Sequence, residues 1–299
     1  MKKAIVKISV MVIACLAALI SVLPLQTAGK DGGAWMAELD DARELNSLAI
    51  PGTHDSGATH SIADLSGKCQ SLAIDEQLTL GVRFFDVRLK LDHNELNVVH
   101  SFVDQDTRFD EALADMVNYL TENPSEFLIV SIKEDADPSG SDIDFTEKLE
   151  STLLACELVS RSTSLPKTVG DARGKIHIIS RYADSTIGLP AYYGWEDSTS
   201  FALGEIYVQD HYRVDDAETK IADIETALDI GAKKEYGLVL NFASCYYPDA
   251  FPPTYAGLPA HVINPWLTDN LPEREVCGVI LCDFITAELC DAIIGGNFR

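Results

Sequence analysis

Two histidines stand where they could exchange protons with a substrate. His54 belongs to residues 50–57 (IPGTHDSG), and His100 closes the apolar run 96–99. A neutral imidazole can remove a proton from a hydroxyl group, while a protonated imidazole can donate one to a leaving oxygen. The pair therefore predicts general acid–base chemistry, and displacement at the phosphorus of a phosphodiester suits it well.

Carboxylates that could support the histidines occur at similar points of the sequence. Asp55 follows His54 directly, and Asp283 ends the apolar run 279–281. A carboxylate behind the base would fix its tautomer and stabilise the imidazolium, and we assign this role to Asp283 towards His54. Asp283 could instead be the N-cap of a following helix.

Asp86 and Arg88 form a second charged group. They lie two residues apart in an extended stretch, residues 84–88 (FFDVR), so their side chains point to the same side of a strand. Arg88 offers a permanent charge and a fork of donors to phosphate oxygens. In metal-dependent phosphodiesterases a divalent cation held by clustered carboxylates does this work. An ordinary ion pair is the alternative for these two residues, but an arginine at the centre favours a site without a metal.

The elements that must position these residues are short apolar runs, each leading to a polar residue. Their nearly continuous apolarity is typical of strands buried on both faces, as in a parallel sheet. In β/α barrels the functional groups gather at the carboxyl ends of the strands. We therefore predict an α/β fold with a single irregular (β/α)8 TIM-type barrel. The runs and their polar residues are 48–50 with His54, 82–87 with Arg88, 96–99 with His100, 127–132 with Lys133, 176–179 with Arg181, 206–208 with Asp210, 238–242 with Ser244 and 279–281 with Asp283.

The connections between the runs are partly helical. Residues 110–120 and 215–234 carry apolar side chains at the 3,4 spacing of one helix face, which predicts two helices. The connection over residues 91–95 is too short for a helix and leaves an antiparallel hairpin open. Pro51 and Gly52 predict a turn directly after the first strand.

The first 29 residues have the pattern of a secretory signal peptide. Three lysines precede an almost wholly apolar stretch, residues 8–25, and a short stretch with small residues follows. We expect cleavage near residue 28 or 29, and a secreted, extracellular protein with one barrel domain over residues 30–299. A retained membrane anchor and a lipid anchor at Cys15 are the alternatives.

Charge and cysteine content narrow the possible partners. The formal net charge of −24 becomes −27 without the three lysines of the signal, and such a surface repels nucleic acid. It also argues against docking on anionic lipid through basic residues. The six cysteines beyond Cys15 include no Cys-x-x-Cys pair, so we expect neither a zinc site nor a cofactor. We expect a monomer.

Five motifs together resemble bacterial phosphatidylinositol-specific phospholipases C, which carry an X domain. The motifs occur in the order of that family over roughly residues 35–295. The resemblance implies an irregular β/α barrel that cleaves phosphatidylinositol to diacylglycerol and inositol 1,2-cyclic phosphate at a membrane surface, without a metal. Some members release glycosylphosphatidylinositol-anchored proteins. The motifs are residues 50–57 (IPGTHDSG), 85–88 (FDVR), 123–126 (NPSE), 171–175 (DARGK) with Arg181-Tyr182, and 208–210 (VQD).

The resemblance also implies a role for each candidate residue. His54 would be the base on the inositol 2-hydroxyl, with Asp283 behind it. His100 would be the acid towards the diacylglycerol oxygen, supported by Asp55. The other positions that match the family are Arg88 for the phosphate, Asp86 in the same polar cluster, and Lys133, Arg181, Asp210 and Tyr212 for the inositol, with Tyr212 under the sugar ring.

The sequence departs from the family pattern at the predicted acid and in the membrane contacts. His100 stands in VVHSF, where the family has His-His-Gly-Pro, and the segment after Gly57 lacks the tryptophan that many secreted members insert into lipid. An aromatic loop, residues 246–255, could replace it through Tyr246, Tyr247 and Phe251, or could pack on the barrel rim. We expect residues 135–137 (DAD) to be a solvated loop.

Two other functions remain open from the sequence alone. One is a metal-dependent phosphodiesterase on a similar barrel, acting on glycerophosphodiesters or sphingomyelin. The other is an inositol- or glycan-binding protein that kept the barrel without the activity. Persistence of activity in EDTA separates the first from our interpretation, and the effect of replacing His54 separates the second.

Overall fold

The computed structural model describes residues 32–61, 67–250 and 255–299. The predicted signal peptide, with Cys15, therefore lies outside the described residues. Eleven strands are described. They are β1 (Ala49–Thr53), β2 (Phe84–Asp92), β3 (Glu95–His100), β4 (Val103–Arg108), β5 (Leu128–Glu134), β6 (Ile176–Arg181), β7 (Leu189–Pro190), β8 (Ser200–Leu203), β9 (Ile206–Gln209), β10 (Leu238–Phe242) and β11 (Gly278–Cys282).

The strands form one curled sheet that confirms the predicted barrel. Its order is β7-β6-β5-β2-β1-β11-β10-β9-β8, and all neighbours are parallel except β8 and β9. The first strand pairs with the last over five residues, so one side of the barrel joins the two ends of the chain. Between the described strands β7 and β8 no pairing occurs, which makes the barrel irregular and open at that seam.

The third apolar run, residues 96–99, is the hairpin that the sequence left open rather than a barrel strand. It belongs to β3, which pairs with β2 in antiparallel fashion, with Leu89 opposite Val98. β4 continues the meander on the other edge of β3. Because β3 returns along β2, it carries His100 back towards Arg88. The run was identified correctly, but seven of the eight runs, not all eight, are parallel barrel strands.

The predicted turn at Pro51 and Gly52 is wrong, because both residues lie inside β1. Gly52 is needed there for packing. A Cβ atom at Gly52 would stand 2.7 Å from a methyl group of Val279 and 3.1 Å from the Cβ of Phe84. The chain bends only at the next residues, where Asp55 adopts a φ of 45°, a left-handed conformation that Asp tolerates better than most residues.

Both predicted helices are confirmed. Residues 110–120 lie in the helix Phe109–Glu122 and residues 215–234 contain the helix Ala217–Ala232, whose N-cap Asp216 accepts a hydrogen bond from the Thr219 amide. No described helix combines the length and the apolarity needed to cross a bilayer. The helices are α1 (Ile74–Leu80), α2 (Phe109–Glu122), α3 (Phe145–Ala155), α4 (Val169–Ala172), α5 (Ala217–Ala232), α6 (Gly257–Asn270) and α7 (Ala287–Ile294), with 3₁₀ turns at Gly32–Glu38, Leu45–Ser47, Leu271–Glu273 and Gly295–Phe298.

Candidate active site

The predicted catalytic residues converge at one end of the barrel, on four neighbouring strands. β1 leads to His54 and Asp55, β2 carries Asp86 and Arg88, and β11 leads to Asp283. The hairpin strand β3 ends at His100. Contacts of 4 Å or less link all six side chains into one network.

His54 is fixed from both sides of its ring. Its Nδ1 lies 2.8 Å from an oxygen of Asp283, and its Nε2 lies 2.7 Å from Nη2 of Arg88. A guanidinium can only donate, so Nε2 is the acceptor and Nδ1 carries the proton that Asp283 accepts. Burial lowers the pKa of His54 and Arg88 acts in the same direction, but Asp283 outweighs both and raises the pKa above its usual value.

The local backbone explains why His54 and Asp283 meet. β1 and β11 are in register at Thr53 and Cys282, so the residues after them emerge side by side. The amide of His54 continues the ladder by donating to the carbonyl of Cys282, at 3.1 Å. The side chain of Gln70 then ties the carbonyls of both His54 and Cys282 together, at 2.8 and 2.9 Å.

Arg88 is the central cation of the network. It donates to Asp86 at 3.2 Å and lies 3.6 Å from an oxygen of Asp55 and 4.0 Å from one of Asp135. Burial alone would lower the pKa of Arg88, but these carboxylates raise it well above its ordinary value. Arg88 therefore stays charged and is held by three carboxylates, and a charged guanidinium is a group that can donate to phosphate oxygens.

Asp135 corrects one prediction, because it belongs to the site and not to a solvated loop. Its side chain is only 7% exposed, and Lys133 Nζ lies 2.5 Å from its oxygen. Burial would raise the pKa of Asp135, but Arg88 and Lys133 outweigh it and lower the pKa to about 2. The short acidic stretch carried no signal of this, since only the fold brings Arg88 and Lys133 beside it.

His100 is held more loosely than His54. Its Nε2 lies 3.6 Å from an oxygen of Asp55, and its Nδ1 lies 3.9 Å from Sγ of Cys69. Asp55 is fully buried, and within the described part of the chain neither of its carboxylate oxygens has a hydrogen-bond partner. Burial raises the pKa of Asp55 despite the opposing charge of Arg88. The pairing that the sequence predicted for the acid is present as a longer electrostatic contact.

A second group of side chains extends the site towards β6 and β9. Arg181 donates to Asp86 at 3.2 Å, and its guanidinium stacks 3.7 Å above the ring of Trp195. The indole of Trp195 donates to Asp210 at 3.2 Å. Although burial raises the pKa of Asp86, Arg88 and Arg181 hold it well below its usual range. Trp195 was missed by the sequence reasoning because it lies in a loop outside every motif.

Tyr212 lies at the edge of this second group. Its hydroxyl donates to Asp197, and its ring packs at 6.0 Å from the ring of Tyr246. Tyr246 and Tyr247 are both half-buried, so they pack on the barrel rim, which was the alternative for that loop. Phe251 lies outside the described residues.

Other aromatic side chains protrude at the carboxyl-end face of the barrel. Phe102, two residues after His100, is 81% exposed, and Tyr193, after β7, is 72% exposed. Tyr192 lies beside Tyr193, with the two rings packed edge to face. Among the described residues of this face, the exposed aromatic side chains thus lie on the β3–β4 hairpin and in the loop after β7, and Tyr246 and Tyr247 are not among them.

Comparison with known proteins identifies a family that the chain resembles. Residues 48–182 match the family model described as phosphatidylinositol-specific phospholipase C, X domain. The 1-phosphatidylinositol phosphodiesterase of Listeria monocytogenes is 24% identical over 88% of this chain and 84% of that protein. The enzyme of the same name from Staphylococcus aureus strain Newman is 28% identical over 60% of this chain and 64% of its own length.

A solved structure of Staphylococcus aureus phosphatidylinositol-specific phospholipase C shares the fold. It superposes with a TM-score of 0.80 at 24% identity, covering 90% of this chain and 98% of that one. The matched residues 48–182 include five of the six predicted catalytic positions, and Asp283 lies beyond them. Residues 48–182 therefore belong to the phosphatidylinositol-specific phospholipase C X-domain family, and the chain folds as the bacterial members of that family do.

Proposed function

We propose that this protein is an exported phosphatidylinositol-specific phospholipase C that cleaves its lipid to diacylglycerol and inositol 1,2-cyclic phosphate without a metal. The observation that carries the proposal is the position of Arg88. Arg88 donates to His54, whose other ring nitrogen is hydrogen-bonded to Asp283. Arg88 also lies beside Asp55, and Asp55 contacts His100. One cation thus joins a histidine suited to be a base to a histidine suited to be an acid.

The reaction follows from these contacts. Nε2 of His54 takes the proton of the inositol 2-hydroxyl, and that oxygen attacks the phosphorus. Asp283 stabilises the resulting imidazolium through Nδ1, at 2.8 Å. Arg88 stabilises the negative charge on the phosphate, and His100 donates a proton to the departing diacylglycerol oxygen. The tethered hydroxyl needs no second molecule, and such intramolecular attack can have an effective molarity of about 10⁵ M or more.

Arg88 supports metal independence because it supplies the permanent positive charge that a cation would otherwise provide. Asp86 and Asp135 orient Arg88. They do not form a carboxylate cluster suited to a divalent cation, because Asp86 also contacts Arg181 and Asp135 also contacts Lys133. The proposed export rests on the signal-peptide pattern of residues 1–29. The mass of the mature protein tests it, because cleavage near residue 28 or 29 would remove the mass of those residues.

The decisive experiment is ³¹P NMR of phosphatidylinositol vesicles incubated with the protein in EDTA. We expect a resonance of inositol 1,2-cyclic phosphate. Loss of cleavage in EDTA would instead favour a metal-dependent phosphodiesterase.

Replacing the base tests the enzymatic assignment itself. We expect His54→Ala to lower kcat by about 10²- to 10⁴-fold, the usual contribution of a general base. His93→Ala is the matched control, since His93 is exposed in the β2–β3 turn. A His54→Ala variant that cleaves phosphatidylinositol as fast as the wild type would refute the proposal.

A further inference from the structure

We propose that Asp55, Cys69 and His100 form a binding site for a thiophilic divalent cation such as Zn²⁺, and that occupation of this site inhibits the enzyme. The inhibitory consequence rests on the proposed function, because it requires His100 to act as the acid. The metal site itself depends only on the three side chains, which the fold brings together from separate segments, and not on the Cys-x-x-Cys pair whose absence led us to expect no zinc site.

The three residues offer the donor set that zinc prefers. One oxygen, one sulfur and one nitrogen atom from them lie within 4.8 Å of one another. Zinc binds carboxylate, thiolate and imidazole in a tetrahedron with bonds of about 2.0–2.3 Å, which places ligand atoms about 3.3–3.8 Å apart. Side-chain rotations that bring the donors together by about 1 Å would therefore complete three ligands and leave the fourth position to water.

Asp55 points independently to a ligand at this place. Its side chain is fully buried, and both oxygens lack a hydrogen-bond partner among the described residues. The nearest basic nitrogen atoms, on Arg88 and His100, are both 3.6 Å away. A buried carboxylate without hydrogen bonds is costly, and binding a cation would satisfy it.

Cys69 is held rigidly in reach of the other two donors. Its amide donates to the carbonyl of Ala58 at 2.8 Å, and its carbonyl accepts from the amide of Phe284 at 2.7 Å. The thiol is buried, whereas the side chain of His100 is 25% exposed. An ion can therefore enter past His100 and meet a preorganised sulfur behind it.

A second donor set, His54, Cys69 and Asp283, is less suited to a metal. Its donor atoms also lie within 4.8 Å of one another. However, His54 Nδ1 and the Asp283 oxygen are already joined by a hydrogen bond of 2.8 Å, which a metal would have to break. The set around Asp55 loses no hydrogen bond of comparable quality.

Coordination would act on the acid half of the reaction. The cation would take a nitrogen of His100 and an oxygen of Asp55, and the thiol of Cys69 would release its proton to solvent as it binds. His100 could then no longer donate a proton to the leaving oxygen. Because sulfur and nitrogen donors prefer Zn²⁺ or Cd²⁺ to Mg²⁺ or Ca²⁺, the latter two ions should not inhibit.

The test combines direct binding with activity. Metal-free protein is titrated with Co²⁺, which gives a near-ultraviolet thiolate-to-metal band when a cysteine ligates it, and cleavage is assayed with ZnCl₂ and after EDTA. The variants are Cys69→Ala and Cys69→Ser, with Cys290→Ala as the matched control, since Cys290 is buried on α7. Circular dichroism checks that each variant folds.

We expect the band and EDTA-reversible inhibition by Zn²⁺ in the wild type and in Cys290→Ala. In both Cys69 variants we expect activity in EDTA, no band, and inhibition that requires at least about 10- to 100-fold more Zn²⁺, since even the loss of an outer-shell partner costs that much affinity. Absence of the band in the wild type, or equal inhibition with and without Cys69, would overturn the inference. A Cys69-dependent band in a protein that does not cleave phosphatidylinositol would support the metal site and contradict only the proposed function.

Discussion

At the scale of single residues, the two histidines are held in different ways. His54 has a hydrogen-bonded carboxylate and a donor on its two ring nitrogens, whereas the ring nitrogens of His100 have contacts of 3.6 and 3.9 Å to Asp55 and Cys69. Asp283 raises the pKa of His54 against burial and Arg88. As the proposed base, His54 is therefore neutral, and able to accept a proton, only above this raised pKa. With His100 required in its protonated form, the rate should follow a bell-shaped pH profile.

Asp283→Asn should move the acidic limb of that profile. Removing the carboxylate leaves burial and Arg88 to lower the pKa of His54, so the limb shifts to lower pH. The rate at the optimum should fall as well, because the imidazolium loses its partner. The measurement is kcat/KM from pH 4 to pH 9. Asp223→Asn is the control, since Asp223 lies at the same 2.8 Å from His211. An unshifted limb in Asp283→Asn would contradict the assignment.

Trp195→Ala should weaken substrate binding more than catalysis. The indole stacks on Arg181 and donates to Asp210, so its loss frees two proposed inositol-binding residues. A stacked cation is worth about 1–2 kcal/mol, which corresponds to a rise in KM of about 5- to 30-fold. Steady-state kinetics separate KM from kcat. The control is Trp266→Ala. Trp266 lies on α6 and its ring packs against Arg274, outside the site, so this variant should leave KM unchanged. A fall in kcat alone would argue against this role.

At the scale of elements, helix α5 is anchored by a buried cation. Lys220 donates to the side chain of Gln209 at 2.9 Å and to the carbonyl of His211 at 2.8 Å, which ties α5 to the end of β9. Burial lowers the pKa of Lys220 to about 8. The folded state thus binds fewer protons than the unfolded state between that value and the ordinary pKa of lysine, and the contribution of Lys220 to stability rises with pH.

Lys220→Met should reveal this dependence. Relative to the variant, the wild type should gain about 2 kcal/mol in the free energy of unfolding between pH 7 and pH 9.5. Denaturant titrations at the two pH values measure it. Lys233→Met, at the exposed end of the same helix, should show a constant difference. A constant difference for Lys220→Met as well would mean that the lysine titrates normally.

The same scale shows what the sequence can predict. Strands buried on both faces can be predicted from continuous apolar runs, because burial determines residue type directly. The helices α2 and α5 can be predicted from the spacing of the apolar residues on one face. The apolar run of the antiparallel β3 was grouped with those of the parallel strands, and its direction was left open because residue type does not determine strand direction. Gly52 was taken for a turn because the tight packing of β1 against Val279 is a tertiary property.

Some residues of the site could also be predicted from the sequence, and others could not. His54, Asp86 and Arg88 could be placed from their motifs and strand periodicity. Trp195, Cys69 and Asp135 could not, since each comes from a loop whose path only the fold determines. Sequence spacing does not encode such contacts.

At the scale of the whole molecule, the proposed docking on a lipid surface would have to depend on apolar contacts, because the net charge is unfavourable. The chain carries a formal net charge of −24, which opposes its approach to an anionic lipid surface. Phe102 and Tyr193 protrude from the face that holds His54 and His100. Exposed aromatics insert favourably at the membrane interface. We therefore expect these two side chains to supply most of the docking energy.

The double variant Phe102→Ser, Tyr193→Ser should bind vesicles less tightly and keep its activity on a soluble, short-chain substrate. Co-sedimentation with phosphatidylinositol–phosphatidylcholine vesicles measures the first effect. Leu154→Ser is the control, because Leu154 is also exposed but lies near the end of α3, which runs back to the opposite end of the barrel. Unchanged sedimentation of the double variant would exclude this face as the docking surface.

The pairing of β1 with β11 has a consequence for how the chain folds. His54 and Asp283 are 229 residues apart, and they meet only because the first and last strands are neighbours. Contacts between such distant residues slow folding, because the entropy cost of closing a long loop comes before the contacts can stabilise the chain. During synthesis β1 lacks one of its two partners until Gly278–Cys282 has left the ribosome. A nascent chain should therefore acquire its proposed catalytic base late, at the same step that completes the sheet.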